Sequence, residues 1–333
     1  QPTAVLFDRF MAEEQFGWRV AEQCPDAIRI LDTEDLHCLR QARQLAARQQ
    51  REFRNEDLFL DIAKREVASI LRCDLSLIIS EFEIELLKAF FKIDSCLLYY
   101  LPLLTDHLAI DFDSSLPTFH ERKDFVFIGN FLHEPNWDAV RYLKEIIWPL
   151  LSKRLPESRL LIYGAYPSQK VFQMHNEKER FHVLGRAGNA FETIKNAKVM
   201  LAPLRFGAGI KGKLLDAMQC GTPSVTTSIG AESMSGKLPW NGFISDEAAD
   251  FAEKAALLYS DENLWRKAQQ NGREIINGRY DKALFEDDFI NAVVVLQNKL
   301  EIHRQHNFIG SILRHNTLNA VKYMSKWIEE KNK

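Results

Sequence analysis

The chain alternates short apolar runs with longer stretches whose apolar positions recur at helical spacing. Runs at 4–10 (AVLFDRF), 27–35 (AIRILDTED), 75–80 (LSLIIS) and 96–102 (CLLYYLP) predict strands. Between them, 36–53 and 57–72 predict helices; in the second, Leu58, Ile62, Val67, Ile70 and Leu71 fall close to a 3.6-residue period. Strand, helix and strand at this spacing imply a parallel sheet with crossover helices.

The polar stretch DFDSSLPTFHERKD (111–124) has little periodicity and interrupts the pattern, as an inter-domain linker would. The alternation then restarts. Strands are expected at 125–131, 159–165, 181–185, 198–204 and 223–228, with helices at 135–154 and 189–197. Pro135 sits near the start of the first of these helices, where a missing N–H costs least. From 248 to about 300 the pattern is helical. In the tail, Ile312, Leu313, Leu318, Val321, Met324 and Trp327 offer an apolar face for docking. Two open α/β sheets joined by a linker predict a cleft at the carboxyl ends of their strands, where such folds bind ligands.

With 333 residues the chain is long enough for about two domains. A formal net charge of −3 without a basic block argues against a nucleic-acid binder. The longest apolar run, 96–104, is too short to span a bilayer. Five scattered cysteines without a C-x-x-C pair suit free thiols in a reducing, cytoplasmic compartment rather than disulfides or zinc. Cys220 is read as a packed helix-end residue and not a nucleophile.

The candidate chemistry is concentrated in PLRFGAGIKGKLLDAMQCGTPSV, 203–225. A strand ends near Leu204 and a helix begins near Ile210 or Lys211. Gly207 and Gly209 let a ligand approach the backbone, and the helix start offers free N–H groups and a positive dipole end. Lys211 and Lys213 bring cationic heads to that end. Asp216, about one turn on, suits the neutral hydroxyl donors of a sugar or ribose. Gly221 caps the helix and Pro223 stops it. The segment is neither a P-loop nor a dinucleotide fingerprint. By itself it leaves open a phosphate site or a simple turn with solvated lysines.

Residues 124–300 resemble the donor-binding domain of GT-B glycosyltransferases, in the retaining family of the group 1 type. FIGNFLHEPNWDAV (127–140) and the block from Val183 to Glu232 carry the resemblance. It implies an α/β fold of two Rossmann-like parallel-sheet domains facing a cleft, with C-terminal helices packing back on the N-terminal domain. The expected domains are 1–112 on the acceptor side, a linker at 113–123, the nucleotide-sugar domain at 124–305, and a helix at 306–333 docking on the first domain.

Carried over by position, Gly207, Gly209, Ile210 and Lys211 would offer backbone to the phosphates or the transferred sugar, flanked by Arg205 and Leu214. Lys213 would be the countercharge to the diphosphate. Asp216 stands where the family usually has a ribose-binding glutamate. Gly185, Arg186 and Ala187 fall on the loop that meets the base, and Gly129 and Asn130 on the first loop of that domain. Ala208 stands where the family often has a hexose-binding glutamate, eight residues before Asp216, which leaves the sugar and its recognition open.

The first half resembles the later strands of a GT-B acceptor domain. Where many relatives have a His-Asp pair, this chain has Glu34-Asp35, with His37 two residues on. Glu34 and Asp35 are the acceptor-side candidates, although Asp35 also reads as a helix N-cap. Ser80, Glu81 and Glu83 read either as lining the cleft or, for Ser80 and Glu83, as a capping box, with the cap favoured. No glycine-containing loop precedes Ala4, so either the first strands of that domain are missing or this is a short form.

The resemblance implies a nucleotide sugar as co-substrate, no cofactor, no metal and no obligate protein partner. The acceptor would be a glycan, lipid or protein, which allows peripheral membrane contact. The rivals are a non-catalytic module binding nucleotide sugars or glycans, and a sugar-nucleotide epimerase of similar build.

Overall fold

The structure is a computed structural model and describes residues 2–332, with side chains for all of them except 113 and 316–322. It is an α/β protein with two parallel sheets. The chain forms two compact units, one comprising residues up to Leu103, Ala208–Ile210 and residues from Ala283 onward, the other Leu104–Gly207 and Lys211–Lys282.

The first unit begins β1 (Ala4–Asp8), α1 (Arg9–Gln23), β2 (Ile28–Asp32), α2 (His37–Arg48), α3 (Asp61–Arg72), β3 (Leu75–Ile78), α4 (Glu81–Ala89) and β4 (Leu98–Tyr100). Its four strands pair in sequence order, all parallel. Strand alternation divides the apolar residues between two faces. Phe7, Leu31 and Ile78 meet Leu36, Leu39 and Ile70 on one face, while Ile28, Ile30, Leu75 and Leu77 pack elsewhere.

The second unit carries β5 (Lys123–Ile128), α5 (Glu134–Tyr142), α6 (Trp148–Arg154), β6 (Leu160–Tyr163), α7 (Gln169–Phe172), β7 (Phe181–Gly185), α8 (Ala190–Asn196), β8 (Ala197–Ala202), α9 (Gly212–Gln219), β9 (Ser224–Thr226), α10 (Ser228–Ala231), β10 (Gly242–Ile244), α11 (Ala248–Ser260) and α12 (Glu262–Arg279). Its six parallel strands run β10-β9-β8-β5-β6-β7. Phe125, Phe127, Trp148, Phe251 and Trp265 form the centre of one core.

The expected helix at 135–154 is interrupted by a π-turn at Leu143–Ile147, immediately before Trp148-Pro149. The wider turn accommodates Pro149, which cannot donate to the preceding ladder. Strand β10 follows a loop and was not expected; three residues, Gly-Phe-Ile, carry too little pattern.

The second unit ends at Lys282 rather than near 305. The remaining helices, α13 (Glu286–Asn298), α14 (Leu300–His306) and α15 (Phe308–Lys331), belong to the first unit. Phe289, Val293, Leu296 and Leu300 cover Ile28, Ile30, Leu75 and Leu77, the sheet face left bare by the other helices. Arg304 then fixes α14 through Asp74, with Nε–Oδ1 and Nη2–Oδ2 both at 2.8 Å. The side chains of Leu318 and Val321, expected on the docking face, lie outside those described. Among the described residues no helix is long and apolar enough to cross a membrane.

Candidate functional site

In the second sheet β5 has β6 on one side and β8 on the other, so successive connections diverge there. In open parallel sheets the crevice outside the carboxyl ends at such a switch point is where ligands bind. β5 leads into Gly129-Asn130, and β8 leads through 203–211 into α9. The structure therefore places Gly129, Asn130, Arg205, Gly207 and Lys211 on the two loops that flank this point, with Lys213 and Asp216 at the start of α9.

Lys213 is the focus. Its Nζ donates to Asn136 Oδ1 and sits 4.4 Å from the centroid of the Phe127 ring. Asn136 in turn donates through Nδ2 to the Asn130 carbonyl at 2.8 Å. The side chain keeps partial exposure. Burial of its ammonium lowers the pKa to about 7, against the opposing pull of Asp216. Space for this arrangement comes from Gly129: a Cβ there would lie 2.7 Å from Asn136 Cγ and 2.9 Å from Lys213 Nζ.

Lys211 stands at the N-cap of α9 without a side-chain capping bond, and the N–H groups of Gly212 and Lys213 have no intrahelical acceptor. Asp216 lies one turn further, half-buried, and burial raises its pKa. It forms no ion pair with Lys213, and among the described residues its carboxylate accepts no hydrogen bond. A cation, free N–H groups and an acceptor carboxylate are thus held on one helical turn. Gly221 (φ +57°) closes α9, as expected, donating to the Met218 carbonyl at 3.0 Å. Burial pushes the Cys220 thiol up to about 12, which suits an unreactive packing residue.

Other expected contacts are engaged within the protein. Arg205 donates from Nε to Asp138 Oδ2 at 2.8 Å, pairs with it again through Nη2, and lies over the Tyr142 ring. Leu214 is fully buried, and its N–H donates to the Lys211 carbonyl at 2.8 Å. Asn130 uses Oδ1 to accept from Leu132 N at 2.9 Å. Gly185 (φ +74°) ends β7 and accepts from Gly164 N at 2.8 Å. Beyond it Arg186 is exposed without a hydrogen bond among the described residues, and Ala187 is half-buried.

The loop tip Ala208–Ile210 groups with the first unit. Gly209 has φ +61°, and a Cβ there would fall 2.8 Å from Asp35 Cβ. Its N–H donates to Glu83 Oε1 at 2.8 Å. Ala208 is buried in the apolar cluster with Leu36 and Ile78. Ile210 is also buried.

Two expected caps are corrected. Ser80 makes no capping hydrogen bond; Glu83, fully buried, instead accepts from Leu36 N at 3.0 Å and from Gly209 N. Asp35 does not cap α2 either. Glu66, from α3, accepts from His37 N and Cys38 N, each at 2.9 Å. Asp35 is thereby left to pair with Arg40 and to lie 3.4 Å from His37 Nε2. Glu34 (φ +57°) is mostly exposed, 3.9 Å from Arg9 Nε.

Asn136, Asp138 and Glu66 were missed as positioning groups. The signal available was three polar residues on buried helix positions, two of them in the EPNWDAV turn after Gly129-Asn130.

Residues 122–261 match the family model described as Glycosyl transferases group 1. No curated protein sequence matches the chain significantly. In fold the chain is similar to S. aureus TarM, solved as a mutant in complex with Fondaparinux, alpha-GlcNAc-glycerol and UDP, at TM-score 0.62 and 15% identity over 80% of this chain and 51% of that one. It is similar to the pneumococcal O-GlcNAc transferase GtfA in complex with UDP and GlcNAc, at TM-score 0.62 and 14% identity over 89% and 57%. It is also similar to sucrose-phosphate synthase from Thermosynechococcus elongatus, at TM-score 0.59 and 16% identity over 91% and 73%. The chain spans about half the length of TarM and GtfA. Residues 122–261 thus match the group 1 glycosyl transferases, and the chain has the GT-B fold.

Proposed function

We propose that the chain transfers a sugar from a nucleoside-diphosphate sugar to an acceptor hydroxyl, with retention at the anomeric carbon. The observation that carries this reading is Lys213, held by Asn136 and Phe127 beside the open N–H groups of α9, at the switch point of the second sheet. An ammonium with a pKa near neutral gains its proton most firmly when a diphosphate arrives, which matches it to the charge that develops on a departing nucleotide. These groups neutralise that charge without calling on a metal ion. Asp216, with its oxygens free of protein donors, would hold ribose hydroxyls, and Arg186 would lie beside the base.

The departing phosphate oxygen takes the proton of the acceptor hydroxyl as the new bond forms, so no histidine base is assigned. Glu34 and the Asp35–His37–Arg40 cluster are proposed to meet acceptor hydroxyls. Five free cysteines suit a cytoplasmic setting. UDP is the first nucleotide to test, because the TarM and GtfA structures contain it.

The experiment is a thermal-shift screen of wild type and Lys213→Met against UDP-, GDP-, ADP- and TDP-sugars, with assay of released nucleoside diphosphate. One donor should stabilise the wild type by binding linkage and leave Lys213→Met unmoved. Stabilisation of both to the same extent, or of neither by any donor, would sink the assignment.

A further inference from the structure

The first unit contains a cavity of about 590 Å³ enclosed by α1, α3 and α15, far along β2 from the Asp35 cluster. Arg29, the second residue of β2, lines it, so it lies toward the amino edge of the sheet, whereas Asp35 follows the carboxyl end.

Most of the ions around it are matched. Arg72 donates from Nε to Glu13 at 2.9 Å, Arg65 pairs with Glu14 at 2.6 Å, and Arg19 pairs with Glu329. Arg29 and Arg314 are not. Arg29 is 94% buried by its 6% exposure, yet its guanidinium makes no hydrogen bond or ion pair among the described residues, and its Nε is wholly enclosed. Among the described residues Arg314 reaches neutral acceptors alone, the Arg72 carbonyl and Ser311 Oγ, both at 3.1 Å. The nearby carboxylate of Asp74 is already occupied by Arg304 and by the backbone N–H of Arg29 at 2.9 Å. Burial holds both guanidinium pKa values below normal; Asp74 pulls each up, and a neighbouring arginine pushes each down. A second unused donor, Trp18 Nε1, belongs to a residue lining the same cavity and is buried without an acceptor among the described residues.

Buried cations and donors left unmatched are costly, and a guanidinium is built to fork onto an anion. Apolar side chains line the same cavity, among them Met11, Phe16, Met324 and Ile328. Two unmatched positive charges correspond to the charge of roughly −1.5 to −2 on a phosphate monoester at neutral pH. We propose that this cavity binds a phosphomonoester carried on an apolar body, with the phosphate on Arg29, Arg314 and Trp18 Nε1 and the hydrocarbon against α1 and α15. The volume suits such a ligand. The inference does not depend on the proposed transfer reaction.

The test is calorimetric titration of the full chain with octyl phosphate below its micellar concentration, against inorganic phosphate and octyl glucoside, with Arg29→Gln alongside. Octyl phosphate should bind at least about tenfold more tightly than either fragment, and Arg29→Gln should lose at least about tenfold. Because the Arg29 guanidinium has no partner among the described residues, unliganded Arg29→Gln should melt at or above the wild-type temperature. Binding unchanged in Arg29→Gln, inorganic phosphate binding as well as octyl phosphate, or an Arg29→Gln chain that melts far below wild type would each overturn the proposal. Co-sedimentation with phosphatidate-containing phosphatidylcholine vesicles distinguishes a lipid source, if capture needs Arg29, from a soluble phosphomonoester, if octyl phosphate binds and vesicles do not. Either result supports the assignment.

Discussion

Asn136 accepts a hydrogen bond from Lys213 through Oδ1 while donating through Nδ2 to the Asn130 carbonyl, so one amide ties the lysine to the loop after β5. The ammonium is thus positioned before any ligand arrives, and burial brings its pKa down to about 7. In the unfolded chain the same group keeps its proton to about 10.5. Between these values the unfolded chain binds more protons, so this group makes folding more favourable as pH rises from 7 to 10.5; its full cost applies below 7. Lys213→Met should remove that rise. Urea midpoints at about pH 6 and about pH 9.5 check it, the mutant being the more stable of the two chains at the lower pH.

Binding should reverse the shift. A diphosphate near Nζ restores the proton, so donor binding at about pH 8.5 should take up close to one proton per site in wild type and none in Lys213→Met. Calorimetry in two buffers of different ionisation enthalpy reads the number directly. Equal uptake in both chains would place the responsive group elsewhere.

Gly129 bears on the same geometry. Its absent Cβ leaves room for Asn136 Cγ and Lys213 Nζ, at 2.7 and 2.9 Å from where the atom would be. Gly129→Ala should push the ammonium aside, costing about 1–3 kcal/mol of stability and lowering transfer by roughly a hundredfold. Denaturation and turnover measured on one preparation separate the two effects.

The parallel alternation was legible because each buried strand is a short apolar run between turn residues, as in FVFIGN and KVMLAPL. The glycine-rich helix start and the Gly221 cap were legible for the same reason: their chemistry is local. What escaped was set by partners distant in sequence. Glu66 caps α2 from 29 residues away in His37, and Glu83 reaches Leu36 across 47. Nothing in SEFEIELL separates that role from a capping box. Likewise the pattern showed 286–298 to be helical, but not that Ile28, Ile30, Leu75 and Leu77 were its counterpart. The partners of Arg205 and Asn130, Asp138 and Leu132 N, are fixed by folding and were not legible either.

Two glycines of one loop should respond differently. Gly209 has φ +61° and no room beside Asp35 Cβ, so Gly209→Ala combines backbone strain of about 1–2 kcal/mol with overpacking of about 1–3 kcal/mol. At Gly207 a Cβ would meet Lys211 Cε at 3.6 Å, an ordinary contact, and Gly207→Ala should stay within about 0.5 kcal/mol of wild type. Urea denaturation of the pair tests the contrast. Equal losses would mean that the tip at 208–210 is not held as tightly as its contacts imply.

Glu83 is the group that holds that tip. Fully buried, it accepts from Leu36 N at 3.0 Å and Gly209 N at 2.8 Å through the same oxygen, Oε1. Glu83→Ala removes the acceptor and leaves two buried N–H groups, each costing about 1–3 kcal/mol when unsatisfied. Glu83→Gln keeps one carbonyl oxygen at the same place, and should recover most of the loss. If the role is to fix the glycine-rich loop, Glu83→Ala should also weaken donor binding, while Glu83→Gln binds nearly as wild type. A glutamine chain as unstable as the alanine chain would show that the negative charge, and not the shared acceptor, is what the fold requires.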